Sequence, residues 1–432
     1  MPSSSLLAHP KCFHLRVTFP RHTQPEGRRG LPHRMTQDRR KLRIVFFDAG
    51  GGHRNAANAI KAVIEQRQLS WQVDLLNLQE LLDTIDPLQK TAKIRLQDGY
   101  NLLLRKGWTR FTSQLLVVLH AAIRMRHRAI VRALEKYWKE NPADLVLSVI
   151  PNMNRALAES IRQAIPEARF VTLITDFADY PPHFWMERES QYVICGTERA
   201  VEQGIALGLE RNKLFLTSGM VLNPRFYDSP KIDRVEERQR LGLHPDWPTA
   251  LILFGGHGSP AMLNIARRLQ QSAAQVQMIL ICGHSEKLAK KLREMPAGKP
   301  MFVEGFTRKV DYYMSLADFF IGKPGPGSIA EALHFNLPVV VERNAATMPQ
   351  ERYNTEWVAE NQAGIVLKSF DEIESAVQEL LDGSSLERFR ANVAARQNRA
   401  VYEAVDILAE LMDGVPQGRS GKPLPVAAML CD

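Results

Sequence analysis

The 432-residue sequence contains few cysteines and no long apolar run. Its four cysteines, Cys12, Cys195, Cys282 and Cys431, form no CxxC pair. They give no zinc or disulfide pattern and fit a reducing compartment. No apolar segment approaches the ~18 residues of a membrane span. The longest, residues 115–123, includes His120. The GxxxxGK[ST] motif is missing as well, which excludes a P-loop kinase.

Acidic residues are scarce at the start of the chain, where residues 1–40 carry a net charge of +6 out of +9 for the whole sequence. This segment is rich in Pro, Arg, His and Ser and lacks hydrophobic periodicity, so we expect a disordered basic extension. It has no apolar core for a secretory signal. Its composition allows a transit peptide, and a simpler alternative is that translation starts at Met35.

A second basic stretch spans residues 90–139, which contain twelve lysines and arginines but only two acidic residues. Aromatic and leucine side chains alternate with these charges. Such a mixture predicts binding to an anionic membrane surface, whereas a solvated helical bundle and a nucleic-acid interface are the alternatives. We interpret this stretch as a membrane-binding surface and expect no nucleic-acid partner. Its proposed contact residues are Trp108, Phe111, Arg124, Arg126 and Arg128.

Short apolar segments alternate with helical patterns along the rest of the chain. This alternation predicts an α/β protein with two doubly wound parallel sheets and a ligand cleft at the carboxyl ends of their strands. The predicted boundaries are a first domain at 41–222, a hinge at 223–247, a second domain at 248–412 and a disordered tail at 413–432. The final helices, about residues 370–381 and 385–412, are candidates to cross back to the first domain.

The most informative motif is GKPGPGSIAEAL at residues 322–333, which joins an apolar strand to a helix. Glycines allow a ligand to approach the backbone, and the first N–H groups of a helix are unpaired and positively polarised. Glu331 lies about one turn inside the helix, where its carboxylate could accept hydrogen bonds from a ribose diol. The motif therefore predicts a nucleoside diphosphate site, and the alternative is a plain strand-to-helix turn.

Two further glycine-rich strand ends each carry a histidine. Gly51 and Gly52 precede His53 at the predicted start of a helix, which favours a neutral imidazole able to accept a proton. Gly255 and Gly256 precede His257 in the same way. His257 is a candidate phosphate contact, and either histidine could instead simply cap its helix.

Two polar segments follow later strands. Residues 349–354, PQERYN, offer paired donors and acceptors that suit sugar hydroxyls, or they form an ordinary capped helix. Residues 175–185 begin TDF, and Asp176 is a candidate to orient the acceptor or to act as a second base. The alternative is that Asp176 only starts a loop.

Together these motifs resemble glycosyltransferase family 28, especially its monogalactosyldiacylglycerol synthase and processive diacylglycerol glucosyltransferase branch. The resemblance covers residues 42–411 and includes VEGF at residues 303–306. It implies a GT-B fold, in which two Rossmann-like domains face each other across a cleft. The first domain would take a lipid acceptor and the second a UDP-sugar.

Site roles follow from the resemblance, position by position. It implies that His53 is the acceptor base. The implied donor contacts are Phe306 beside uracil, Gly325, Pro326, Gly327 and Ser328 at the diphosphate, Glu331 at the ribose, and Gln350 and Glu351 at the sugar. Asn354, Gly255, Gly256 and His257 are further donor-site candidates, and the loop of Gly255 is expected to face the loop of His53 across the cleft. At the hinge, Asn223 stands where this branch usually has arginine, and Arg225 is its expected substitute.

The sequence thus predicts an inverting hexosyltransferase that uses UDP-galactose or UDP-glucose and a diacylglycerol-type lipid. We expect it to act without metal or cofactor, as a peripheral protein on the cytoplasmic face of the cell membrane. The alternatives are another GT-B enzyme, such as a nucleotide-sugar epimerase or a transferase with a different lipid acceptor, and a non-catalytic peripheral membrane protein.

Overall fold

The structure is a computed structural model that describes residues 39–48, 51–83, 112–189, 191–228, 232–296 and 298–414. The side chains of residues 112–122 lie outside this description. So do the predicted membrane contacts Trp108 and Phe111, residues 1–38 of the predicted extension and residues 415–432 of the predicted tail. The predicted bounds are wrong at both ends, because Arg40 already belongs to the first strand and Asp413 still belongs to the last described helix.

In the part of the chain that the structure describes, the first domain has six strands built mostly from apolar segments. They are β1 Arg40–Phe46, β2 Trp71–Asn77, β3 Leu145–Ser148, β4 Arg169–Leu173, β5 Tyr192–Cys195 and β6 Leu214–Leu216. Its helices are α1 Gly52–Gln66, α2 Leu78–Asp83, α3 Thr112–Glu140, α4 Asn154–Ala164 and α5 Glu198–Leu207. A linker follows that contains a 3₁₀ turn, Pro224–Phe226, and helix α6, Arg234–Arg240.

The second domain also contains six strands. They are β7 Thr249–Leu253, β8 Gln277–Ile281, β9 Met301–Glu304, β10 Phe319–Gly322, β11 Val339–Glu342 and β12 Gly364–Leu367. Its helices are α7 Ala261–Gln271, α8 Glu286–Arg293, α9 Val310–Leu316, α10 Pro326–His334, α11 Pro349–Glu360, α12 Ile373–Leu381 and α13 Ser385–Ala394. The last described helix is α14, Ala400–Asp413.

Each domain holds one parallel sheet. The strand orders are β2-β1-β3-β4-β5-β6 and β12-β11-β10-β7-β8-β9. The register pairs Ile44 with Leu75 and Leu147 in the first sheet, and Phe320 with Leu251 in the second. In each sheet the direction of winding reverses beside the first strand, between β1 and β3 and between β7 and β10. Such switch points open a crevice at the carboxyl ends of the strands, where ligands bind.

The C-terminal helices divide between the two domains. Ile373 of α12 and Phe389 of α13 lie in the core of the second domain. In contrast, α14 buries Val401, Val405 and Leu408 against the first sheet and α1. The predicted boundaries grouped α14 with the second domain, whereas its apolar face completes the core of the first.

Candidate functional site

The glycine-rich motif forms the predicted strand-to-helix turn. Gly325 is the N-cap of α10, and Pro326 occupies the first helical turn. The first helical hydrogen bond runs from the N–H of Ile329 to the carbonyl of Gly325, 3.1 Å away. The N–H groups of Gly327 and Ser328 precede this bond, so the helix itself supplies them with no acceptor. The turn therefore has the features of an anion site.

A lysine that the sequence argument left out stands beside this turn. Lys323 Nζ lies 3.1 Å from Glu351 Oε1, and the side chain of Glu351 is 8% exposed whereas that of Lys323 is 43% exposed. A Cβ at Gly325 would lie 3.3 Å from Lys323 Cε, so the lysine packs directly along the glycine loop. Its position inside the motif, two residues before Gly325, was the available signal. The ammonium group adds positive charge where we predict the diphosphate.

The predicted sugar contacts lie at the start of α11, against the same loop. Asn354 is fully buried, and its Nδ2 donates to the carbonyl of Pro324 at 2.8 Å. Asn354 thus fixes the backbone that precedes Gly325. Gln350 directs its Nε2 to Met348 Sδ at 3.6 Å. Among the described side chains, Gln350 Oε1 and Asn354 Oδ1 are buried oxygens without a hydrogen-bond partner.

The loop after β7 meets the glycine-rich turn because β7 pairs with β10. Gly255 adopts φ +75°, and a Cβ there would lie 3.8 Å from Lys323 Cε. The carbonyl of Gly256 accepts a hydrogen bond from the N–H of His284 at 2.9 Å. His257 is exposed at the edge of this loop. The structure therefore brings the two predicted donor loops together at the switch point.

Glu331 lies half-buried on α10, one turn beyond the glycines. Burial raises the pKa of its carboxyl to about 7, and the nearby positive charge of Arg225 opposes this rise. Arg225 is exposed on the 3₁₀ turn of the linker. The structure thus associates Arg225 with the predicted ribose contact.

In the first domain, His53 occupies the first turn of α1, after Gly51 at φ +82°. Its Nδ1 lies 3.4 Å from Thr175 Oγ1, and its ring centroid lies 5.8 Å from that of Trp185. Burial lowers the pKa of His53 to about 4, although a hydrogen bond with the backbone of Val149 opposes this shift. The imidazole is therefore neutral near pH 7 and able to accept a proton.

Asp176 connects the two halves of the site. Its Oδ2 accepts a hydrogen bond from Trp185 Nε1 at 2.8 Å. Burial raises the pKa of Asp176 to about 7. The hydrogen bond from Trp185 and the positive charge of Lys323 oppose this rise, whereas the negative charge of Glu351 adds to it. Because Glu351 and Lys323 belong to the second domain, Asp176 lies close to the cleft between the domains.

Aromatic contacts hold the loop after β4 against α11. Phe177 packs on Trp357 with ring centroids 5.0 Å apart, and Tyr180 packs on Tyr353 at 6.0 Å. The helix that carries Gln350 and Glu351 therefore also contacts the loop that carries Asp176. This contact fixes how the two halves of the site face each other.

A cavity of about 730 Å³ lies elsewhere between the domains. Its walls include Thr197 and Arg199 at the start of α5, Trp357 and Glu360 on α11, and Arg396. No predicted catalytic or donor residue lines it. We therefore place the site at the strand ends and not in this cavity.

The three predicted membrane arginines lie on α3, outside the cluster at the strand ends. Arg124 and Arg128 are exposed, Arg126 is half-buried, and Met125 between them is 88% exposed. No helix in the described part of the chain is both long enough and apolar enough to cross a bilayer. Within the same residues, no group of three or more His, Cys, Asp and Glu side chains is arranged to hold a metal ion.

Comparison with known proteins gives a consistent result. Residues 249–410 match the model for "Glycosyltransferase family 28 C-terminal domain". The chain is 30% identical to "Probable monogalactosyldiacylglycerol synthase, chloroplastic" of Glycine max, over 86% of this chain and 72% of that protein. It is 29% identical to "Monogalactosyldiacylglycerol synthase 1, chloroplastic" of Arabidopsis thaliana, over 89% of this chain and 74% of that protein.

Among solved structures, MurG of Acinetobacter baumannii superposes with a TM-score of 0.59 at 15% identity, covering 86% of this chain and 99% of MurG. This likeness concerns the fold alone, and it confirms the predicted GT-B architecture of two Rossmann-like domains.

Proposed function

Because the chain belongs to glycosyltransferase family 28, as the monogalactosyldiacylglycerol synthases do, we propose that it transfers a hexose from UDP-galactose or UDP-glucose to a diacylglycerol-type lipid. One observation carries the proposal. Trp185, which donates a hydrogen bond to Asp176, lies beside the neutral His53 of the first domain, and the charges of Glu351 and Lys323 beside the glycine-rich turn of the second domain act on the same Asp176. The histidine suits a proton acceptor, and the glycine-rich turn suits a departing diphosphate.

The proposed reaction inverts the anomeric carbon of the sugar. The acceptor hydroxyl gives its proton to the imidazole of His53 while its oxygen attacks the anomeric carbon from the face opposite UDP. The bond from that carbon to the β-phosphate oxygen breaks, and UDP leaves with the electron pair. The unpaired N–H groups of Gly327 and Ser328 and the ammonium of Lys323 stabilise the charge that develops on UDP.

Asp176 takes a supporting role in this mechanism. With a pKa of about 7 and a fixed hydrogen bond from Trp185, its carboxyl can exchange a proton near neutrality. We propose that it orients the acceptor or the His53 loop. It is also the alternative base if His53 is not required.

We further propose that the protein acts as a peripheral protein on the anionic, cytoplasmic face of the cell membrane. The support is the +10 charge of residues 90–139 together with exposed Arg124, Met125 and Arg128 on α3. Lysines and arginines near an anionic surface each contribute about 1 kcal/mol to attraction, and apolar side chains add insertion. A lipid acceptor would be present at the same surface.

The release of UDP tests the proposed transfer. The protein is incubated with UDP-galactose and UDP-glucose in parallel, with vesicles that contain or lack diacylglycerol. We expect UDP release from one or both sugars only when diacylglycerol is present. Conversion of the sugar without lipid would instead indicate an epimerase. UDP binding without any turnover would indicate a non-catalytic protein.

A further inference from the structure

An exposed pair of stacked rings stands at the carboxyl ends of β8 and β9. Phe306 is 53% exposed and is the one exposed phenylalanine among the residues that the structure describes. Its ring lies on that of His284, with centroids 4.0 Å apart and planes 17° apart. An exposed aromatic ring that is already stacked on one side offers its open face to a planar ligand.

The backbone beneath His284 is fixed by the donor loop. Gly283 adopts φ +57°, and a Cβ at this position would collide with the carbonyl oxygen of Gly256. The N–H of His284 donates to that same carbonyl at 2.9 Å. His284 therefore has its place set by the loop after β7. The ring of His257, from that loop, lies 5.9 Å from the ring of His284.

The order of the strands places this stack in line with the glycine-rich turn. Lys323 follows β10, Gly255 follows β7, His284 follows β8 and Phe306 follows β9, and these four strands are neighbours in the sheet. A nucleotide whose diphosphate lies at the start of α10 can extend along this row. Its planar base then meets the rings, because stacking on an aromatic face is a general way to hold a base.

We propose that His284 is a positioning residue for the nucleobase of the donor. One side of the Phe306 ring is packed against the imidazole, which keeps the phenyl plane fixed so that its open face receives the base. This inference rests on the proposed function, since it concerns the same donor site. It assigns His284 a role in holding the planar heteroaromatic part of a nucleoside diphosphate and no role in binding the phosphates.

The test compares affinities for UDP, uridine and inorganic pyrophosphate by calorimetry. Phe306→Ala should weaken UDP and uridine binding by about 5- to 150-fold, the range given by the loss of base stacking. His284→Ala should weaken both by roughly 3- to 10-fold, because the phenyl ring regains freedom. Pyrophosphate binding should not change. His284→Phe, which keeps a planar ring, should restore UDP affinity.

His244 offers a matched control, since it is also exposed and stacks on Trp247, with ring centroids 5.3 Å apart, at the start of the same domain. His244→Ala should leave all three affinities unchanged. The double variant of His284 and Phe306 should bind UDP no more weakly than Phe306→Ala, because His284 acts through Phe306.

Several outcomes would overturn the inference: unchanged UDP affinity in His284→Ala, an equal loss of pyrophosphate binding, or additive effects in the double variant. The wild-type protein could instead bind another nucleoside diphosphate but not UDP, with the same dependence on His284. That result would support the role of His284 and would show that the proposed UDP-sugar donor is wrong.

Discussion

The sequence Gly-Gly-His occurs at the end of the first strand of both domains, and the two copies have different environments. After β1, helix α1 begins at Gly52, so His53 lies in its first turn, half-buried beside Trp185. After β7, helix α7 begins only at Ala261, so His257 stays in an exposed loop. The start of the helix decides whether the histidine points into the cleft or into solvent.

This difference separates the two chemical tasks of the site. Burial beside the sheet keeps His53 neutral, as a proton acceptor requires. The longer loop after β7 instead contains two glycines with positive φ, Gly255 and Gly258, and its backbone packs against the loop that carries His284. In the proposed mechanism, the first copy supplies a side chain for catalysis, whereas the second shapes the backbone around the donor.

Replacement of the two histidines should give the largest contrast. His53→Ala is expected to lower kcat by ~10²-fold or more, the scale of general base catalysis, with little change in UDP affinity. His257→Ala is expected to change the KM for the UDP-sugar and to leave kcat largely intact. Steady-state kinetics at several UDP-sugar concentrations distinguish these effects. If His53→Ala turns over like the wild type, His53 is not the base and Asp176 becomes the candidate.

Charge reversal on α3 of the first domain and on α8 of the second tests which domain binds the membrane. The triple change of Arg124, Arg126 and Arg128 to Glu on α3 should weaken binding to anionic vesicles by ~10²-fold or more, since each basic residue contributes ~1 kcal/mol. UDP binding should remain, because the proposed donor site lies in the second domain. Cosedimentation at low and physiological salt provides the measurement, and binding should fall with salt.

The matched control changes Lys287, Lys290 and Lys291 to Glu on α8, which alters the net charge equally on the second domain. This variant should still sediment with vesicles. Equal loss of binding in both triple variants would mean that overall charge, and not α3, governs attachment. If the wild-type protein binds anionic and neutral vesicles equally well, the basic stretch is only a solvated surface.

Replacement of Glu331 tests the predicted contact with the ribose of the donor. Glu331→Ala is expected to weaken UDP binding by about 5- to 150-fold, because a charge-assisted hydrogen bond is lost. An unchanged dissociation constant in calorimetry would leave Glu331 as an ordinary helix residue.

The raised pKa of Glu331 adds a pH dependence. With a pKa of about 7, its carboxyl is largely protonated at pH 6 and ionised at pH 8. Since the ionised form is the stronger acceptor for ribose hydroxyls, UDP affinity should rise across this interval. Glu331→Gln removes this titration and should leave only the weaker dependence that UDP itself contributes. Identical pH profiles in both proteins would contradict the assignment.

Short apolar segments that alternate with helical patterns made most of the fold predictable. Among the described residues, eleven of the twelve strands lie on such segments, and the glycine-rich motif predicted the turn at Gly325. The strand β12 was missed because Gly364–Leu367 is a four-residue edge strand that is only partly buried. The polar helix α6 was also missed. Arg238 anchors it through Asp318 Oδ2 at 2.7 Å, and no local pattern shows a contact across 80 residues.

The same limit applies to the candidate site. Glycine-rich strand ends predict His53 and the glycine-rich turn at Gly325 as site elements because their spacing along the chain is local. The Lys323–Glu351 pair, the influence of the second domain on Asp176 and the stack of His284 on Phe306 each join separate segments. Only the folded arrangement of the strand ends brings these groups together.

The most direct test of the central claim is the anomeric configuration of the product. UDP-galactose and UDP-glucose carry their sugar in α linkage, and a base on the first domain opposite UDP on the second requires inversion. Nuclear magnetic resonance of the lipid made by the wild-type protein from diacylglycerol should show a β-linked hexose. An α-linked hexose, or a hexose that never reaches the lipid fraction, would contradict the account.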